Sequence, residues 1–360
     1  MMKMVIRNLI ASEIFRQNGY IAPEVSGAIK MDANENPFGM GEPLKRKLLE
    51  RMNGIDFNRY PAAGSPALRE RFAGYFGVKK DMILPGNGSD ELIQTLCLTL
   101  KGKIRGVLVP VPTFSMYKII AVNTGNKVVE VPLDKNFDLD AKAIISKITN
   151  NFPAIIFLSC PNSPTGNLFS QSKIEAIIRK TPGVVVIDEA YGAFSGQTML
   201  PLIRKYNNVI FLKTLSKLGM ASMRMGFLIG NKDLVAQLDK VRLPYNINSL
   251  SQTAAGFFLD YNKEFSNQIK EITKRRTELY RGLKQIKWIK AYPSRANFIF
   301  FSCAFDSNRI YNRLVSEGIM VKNLNVPPLM TNCMRVTVGS KKENDAFLKA
   351  LKNITPERGE

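Results

Sequence analysis

Residues 184–191 read VVVIDEAY and residues 209–226 read VIFLKTLSKLGMASMRMG. Each stretch opens on a short apolar run rich in β-branched residues and without polar alternation, which predicts a strand buried on both faces. Similar runs lie at 107–111, 128–131, 155–158 and 227–229, beside those at 184–187 and 209–212. Between them, 89–100, 170–180 and 232–241 carry apolar residues at helical spacing. Strands alternating with helices predict an α/β fold, a mostly parallel sheet flanked by helices. Beyond residue 250 the rhythm changes: a long helical stretch, 250–286, leads to strands at 297–301 and 334–338 with a helix between them. That pattern predicts a second, smaller α+β domain.

Composition narrows the function. At 360 residues, 45% hydrophobic and 22% charged, the chain can bury a large core and has the balance of a soluble globular protein. No apolar run approaches a membrane span, and no signal peptide is expected. The four cysteines, Cys97, Cys160, Cys303 and Cys333, form no CxxC pair and no metal-ligand pattern. A reducing cytoplasm is the expected location. The net charge of +21 comes from scattered Lys and Arg without a nucleic-acid-binding motif. A solvated basic surface that helps steer anionic substrates is expected, not a nucleic-acid partner. The chain has no histidine, which excludes Ser-His-Asp triads and His-bearing metal sites. Acid–base work falls to Lys, Asp, Glu, Tyr or Cys.

Four segments carry chemistry. The strand at 184–187 delivers Asp188 to its C-terminal end, the edge where α/β sheets bind ligands. A carboxylate there can bind a metal, act as a base, or pair with a protonated ring nitrogen. The absence of a GxxxxGK[ST] loop makes a nucleotide-hydrolysing reading poor. In the second segment Lys217 follows Thr214 and Ser216, and Arg224 comes seven positions later (224 − 217 = 7). An imine-forming lysine must be deprotonated, which desolvation and neighbouring cations favour. Arg224 can be such a cation while also binding a phosphate. In the third, PGNGSDELI at 85–93, Gly86 and Gly88 permit a tight turn before Ser89 and Asp90 open a helix. Its free amides make a phosphate cradle, with Ser89 as the expected cap. In the fourth, CPNSPTG at 160–166, two prolines and a glycine shape a loop that presents Asn162 and Ser163.

Together these segments resemble the fold-type I pyridoxal-phosphate aminotransferases, and most closely the histidinol-phosphate aminotransferase family. The likeness extends to KMDANENPFG at 30–39, Arg59-Tyr60-Pro61 with Leu68-Arg69, PTFSMY at 112–117 and MRVTVG at 334–339. The resemblance implies pyridoxal 5′-phosphate held through a Lys217 Schiff base. Asp188 would pair with the ring nitrogen, Tyr191 would bond the ring's phenolic oxygen, and Phe114 would stack on the ring. Gly88, Ser89, Asp90, Thr214, Ser216 and Arg224 would hold the phosphate, with Asn162 or Ser163 near the ring oxygen. Tyr60 would reach the neighbouring subunit's phosphate site, so a homodimer is implied. Tyr20, Asn36, Lys322 and Arg335 would bind substrate, with no metal.

The implied division is an N-terminal arm with part of the small domain (1–45), a large cofactor-binding domain (46–270) and a small C-terminal domain (271–360). The chain departs from the family pattern in three places. Ser163 replaces the Asn of NPTG, the Lys217–Arg224 interval is one residue short, and Lys322 stands where a second arginine is usual. The implied reaction moves an amino group between L-histidinol phosphate and 2-oxoglutarate, in histidine biosynthesis. Aromatic amino acid aminotransfer and threonine-phosphate decarboxylation are the alternatives on the same scaffold.

Overall fold

The computed structural model describes residues 9–15, 25–104, 106–151 and 153–354. Tyr20 lies outside them. Among the described residues the strands form two sheets.

The larger sheet has seven strands: β2 (Ile83–Asn87), β3 (Val107–Val111), β4 (Val128–Pro132), β5 (Ile155–Ser159), β6 (Val184–Asp188), β7 (Val209–Thr214) and β8 (Met225–Ile229). Their order is β2-β8-β7-β6-β5-β3-β4. All are parallel except β8, which runs against both β2 and β7. Side chains alternate between two cores, as a two-residue period requires. Ile156, Leu158, Val185, Ile187, Phe211 and Phe227 enter one core. Ile155, Phe157, Val184, Val186, Ile210 and Leu228 enter the other. Both faces are therefore apolar, which is why these strands read as unbroken hydrophobic runs.

The first core is covered by α2 (Pro66–Phe76) and α8 (Ser249–Asp260), joined by α1 (Glu42–Asn53). The second is covered by α3 (Gly88–Thr99), α4 (Met116–Asn123) and α7 (Lys232–Asp239). Two more helices, α5 (Ala141–Asn151) and α6 (Gln171–Lys180), pack against each other. The helical stretch expected at 250–286 is two helices, α8 and α9 (Asn262–Lys284), divided at Tyr261. The second is unbroken across residues 270 and 271. Ser89 is not the cap of α3, because the helix already begins at Gly88 and its N-cap is Asn87.

The smaller sheet joins the N-terminal segment to the C-terminal part of the chain. Its order is β1 (Ile29–Met31), β11 (Ile319–Asn323), β12 (Cys333–Thr337), β10 (Phe298–Cys303) and β9 (Ile289–Ala291). Only β1 and β11 pair in parallel. Helices α10 (Ser307–Ser316) and α11 (Lys341–Asn353) accompany it, the latter opened by a Ser340–Glu343 capping box. Among the described residues no helix is long and apolar enough to cross a membrane.

Candidate active site

Strand direction gathers the site. β3, β5, β6 and β7 are parallel, so the loops that follow them leave one edge of the sheet. β2 runs the same way, so α3 begins at that edge too. β8 runs the other way and therefore starts there, with Arg224 immediately before it. One short pocket results, lined by Ser89, Asp90, Phe114, Tyr117, Ser159, Asp188, Ala190, Tyr191, Thr214, Ser216, Lys217 and Arg224, about 80 Å³ in volume. Nine of the residues singled out in the sequence are in that lining.

At the phosphate-like end, Thr214 Oγ1 donates to the Met225 carbonyl (3.0 Å) and bonds Ser216 Oγ (3.0 Å). The Arg224 guanidinium donates to Ser216 Oγ (3.1 Å) and pairs with Asp90 (3.3 Å). Two glycines allow the close approach of backbone and guanidinium at this end. A Cβ on Gly88, whose φ is +82°, would lie 2.6 Å from Arg224 Nη2. A Cβ on Gly226 would meet Gly88 C at 2.5 Å and Ser89 N at 2.6 Å. The first turn of α3 thus rests directly on β8, and its first amide groups lack intrahelical acceptors.

At the other end, Asp188 is 3% exposed. Its Oδ2 accepts from the Tyr117 hydroxyl (2.7 Å) and its Oδ1 from the Ala190 N–H (2.9 Å). Burial pushes its carboxyl up to about 6; the two donors pull the other way, and the negative charges of Asp90 and Glu189 add to the rise. Glu189 points elsewhere, accepting from Lys213, from Thr198 Oγ1 (2.7 Å) and from the Met199 N–H (2.6 Å).

Lys217 Nζ donates to the Ala33 carbonyl (3.1 Å) and lies 6.0 Å from the centre of the Tyr191 ring. The Tyr191 hydroxyl accepts from Asn34 Nδ2 (2.8 Å). Asn34 is buried with φ +56°, a left-handed conformation that asparagine tolerates. The Tyr191 ring meets Phe298 edge-on (5.0 Å), and the Arg335 guanidinium lies 5.2 Å from the centre of that same ring. Arg335 also donates to Ser163 Oγ (3.1 Å) and to the Asp32 carbonyl (2.7 Å). Lys322 is its direct partner across β11 and β12.

Asn162 and Asn36, two of the expected site residues, are not in this pocket's lining. Asn162 is fully buried, and its amide ties its own loop to the one after β3: Nδ2 donates to the Pro112 carbonyl (3.0 Å) and Thr165 Oγ1 (2.7 Å), while Oδ1 accepts from Thr113 (2.9 Å). It joins these two loops and is not in the pocket's lining. Asn36 Nδ2 donates to Gln268 Oε1 (2.8 Å) and its Oδ1 accepts from the Phe38 N–H (2.9 Å). The arm's contact with the pocket is instead Asn34. Tyr60 is 81% exposed and stacks on Tyr245 (4.6 Å). A larger cavity, about 520 Å³, lies beyond Ala190 and Thr214. Its walls are mostly apolar, and Lys217, Asp188 and Arg224 are not among them, so size does not mark the chemistry here.

The family model for aminotransferase class I and II matches residues 26–351. The chain belongs to that family. This aminotransferase is 42% identical over 355 residues to histidinol-phosphate aminotransferase 2 of Nitrosococcus oceani, covering 98% of this chain and 99% of that one. It is 38% identical to the histidinol-phosphate aminotransferase of Aquifex aeolicus, covering 95% and 97%. The solved histidinol-phosphate aminotransferase of Clostridium acetobutylicum superposes with a TM-score of 0.82 at 26% identity, covering 90% of this chain and 98% of that one. The enzyme of Sinorhizobium meliloti, solved with pyridoxal 5′-phosphate, shares the fold with a TM-score of 0.85 at 22% identity, covering 95% and 96%. The fold is that of the fold-type I aminotransferases. Sequence reasoning assigned no role to Asn34 or Tyr117. The phenol of a fully buried tyrosine needs a partner, and that rule was the available signal for Tyr117.

Proposed function

We propose that this aminotransferase uses pyridoxal 5′-phosphate to move an amino group between L-histidinol phosphate and 2-oxoglutarate, in histidine biosynthesis. The donor set fits the cofactor. The α3 amides, Thr214, Ser216 and Arg224 suit a phosphate; Asp188, at the far end, suits a protonated ring nitrogen. When bound, the cofactor supplies an aldehyde carbon for the donor's nitrogen and a protonated ring that accepts the electron pair released at the donor's Cα.

The chain's own groups do the rest. Lys217 Nζ, steered by the Ala33 carbonyl, would be the amine that holds the cofactor's aldehyde and the group that takes and returns the Cα proton. Asp188 holds the ring N–H. Phe114 and Ala190, both in the pocket lining, would bound the ring and keep water away. Tyr191, oriented by Asn34, hydrogen-bonds the ring oxygen.

One observation carries the choice of donor. Arg335 and Lys322 are directly opposed on neighbouring strands, so their side chains leave the same face of the sheet. Two cations side by side suit a phosphate dianion better than a single carboxylate. Arg335, braced by Ser163 and Phe298, takes the fork contact and Lys322 adds a point charge. The test compares variants on two donors with 2-oxoglutarate. Arg335→Ala loses at least about two orders of magnitude in kcat/KM for histidinol phosphate, roughly 3 kcal/mol. Lys322→Ala is costly for histidinol phosphate and nearly silent for phenylalanine, whereas Lys322→Arg is tolerated. Equal losses on both donors in Lys322→Ala would overturn the phosphate assignment.

We also infer a homodimer in the cytoplasm. Phe57 and Leu243 (80% and 70% exposed) flank the exposed Tyr60–Tyr245 stack in sequence, an apolar face suited to a second copy. Tyr60 would there complete the neighbour's phosphate site. The four cysteines are buried and unpaired, which suits a reducing compartment.

A further inference from the structure

We infer that Tyr117 is a positioning residue for the cofactor's ring-nitrogen partner: its hydroxyl fixes the Asp188 carboxylate in orientation and holds it ionised. The inference rests on the pyridoxal-phosphate reading above and extends it to a residue without direct ring chemistry.

Tyr117 is fully buried in the first turn of α4. Its ring lies parallel to Phe157 of β5, with centroids 4.7 Å apart and planes 2° apart. Phe114 meets it edge-on at 5.4 Å and 85°. Those two contacts leave the phenol little rotational freedom, and its oxygen is 2.7 Å from Asp188 Oδ2. The other carboxylate oxygen is bound by the Ala190 N–H. Each oxygen therefore has one fixed donor, one from α4 and one from the loop after β6. Tyr117 also braces Phe114, so the same side chain sets both the nitrogen partner and one wall of the ring slot.

The electrostatic need is plain. Asp188 must be charged to hold a ring N–H, yet burial, Asp90 at the start of α3 and the adjacent Glu189 all favour its neutral form. The other ionisable groups in the pocket lining are Tyr191, Lys217 and Arg224. Tyr117 and Ala190 supply the hydrogen bonds that favour the charge. The phenol stays a donor, because burial first, and the Asp188 charge second, push its own ionisation well above the ordinary range.

The experiment measures pyridoxal phosphate affinity of the full chain from pH 5.5 to 8.5, by titration calorimetry, in the wild type, Tyr117→Phe, Asp188→Asn and the double variant. Phenylalanine keeps the ring stack and removes only the hydroxyl. A lost hydrogen bond to a charged acceptor moves the acid limb of binding upward by about one pH unit and weakens binding about ten-fold on that limb. In the Asp188→Asn background, Tyr117→Phe adds nothing. A 3-fluorotyrosine introduced at position 117 is a stronger donor of nearly the same shape and moves the limb downward; it also serves if Tyr117→Phe folds poorly. The inference is overturned if neither Tyr117 change moves the acid limb, or if Tyr117→Phe weakens binding equally with and without Asp188. A wild type that binds no pyridoxal phosphate would instead remove the cofactor reading itself.

Discussion

Gly226→Ala should damage the fold and the phosphate cradle together. The added methyl would lie 2.5 Å from Gly88 C, 2.6 Å from Ser89 N and 2.8 Å from Gly88 O. Carbon–carbon contacts settle near about 3.5–4.0 Å, so a gap of about 1 Å must open. All three atoms are backbone, and no side-chain rotation relieves the clash. Gly226 is also the cross-strand partner of Gly86, so β2 and β8 must separate or the start of α3 must move outward. Overpacking of this kind costs about 1–3 kcal/mol of stability. Misaligning one charge-assisted hydrogen bond to phosphate costs about 1.5–3 kcal/mol of cofactor binding, about 10- to 100-fold in Kd. Urea denaturation and a pyridoxal phosphate titration on the same preparation measure both. Gly74→Ala is the control: it is exposed within α2 with nothing within 4 Å of its Cβ, and should gain about 0.5–1 kcal/mol. A Gly226→Ala protein with wild-type stability and wild-type Kd would refute the close contact between β8 and α3 as the basis of the cradle.

Three further outcomes are expected. Lys217→Ala should still bind pyridoxal phosphate but give no borohydride-reducible adduct and almost no turnover; an adduct retained in that variant would assign the amine to another lysine. Burial raises the Asp188 carboxyl from 3.8 to about 6 in the folded, cofactor-free protein, so its contribution to stability is present below about pH 4 and is lost as pH climbs through 6. That loss is at most about 3 kcal/mol, and urea midpoints at pH 4.5 and 6.5 should show it in the wild type and not in Asp188→Asn. Glu175, held down to about 2 chiefly by Lys205, works with the opposite sign and is common to both proteins. Mixed dimers of Tyr60→Phe with Lys217→Ala should regain one intact site, measured as turnover above the additive value; a monomer in sedimentation would count against the shared site.

The parallel strands were legible because burial on both faces removes polar alternation: residues 107–111, 155–158, 184–187 and 209–212 all fall within observed strands. β2 was not, because Pro85 and Gly86 read as a turn. Both are tolerated there because β2 is the edge strand of its sheet. Nor does an apolar run encode direction, so the reversal of β8, which brings Arg224 to the site, needed the three-dimensional pairing. Short β1 and β11 gave too little pattern, although β11 carries Lys322. In the site, Lys217, Asp188 and Arg224 announced themselves by residue type next to strand ends. Asn34 and Asn36 share one short segment, and only the left-handed turn at Asn34 decides which of them faces Tyr191. Asn162 stood out in its motif, yet its amide is taken up in joining its own loop to the one after β3.

The most direct measurement is the rate of amino transfer to 2-oxoglutarate by the purified protein loaded with pyridoxal phosphate, with L-histidinol phosphate, phenylalanine and threonine phosphate as separate donors. Histidinol phosphate should exceed phenylalanine in kcat/KM by at least about a hundredfold, the discrimination expected when a half-buried cation pair built for a dianion meets a single carboxylate. Threonine phosphate should release no carbon dioxide. Equal or faster turnover of phenylalanine, decarboxylation of threonine phosphate, or no reaction with histidinol phosphate would contradict the assignment.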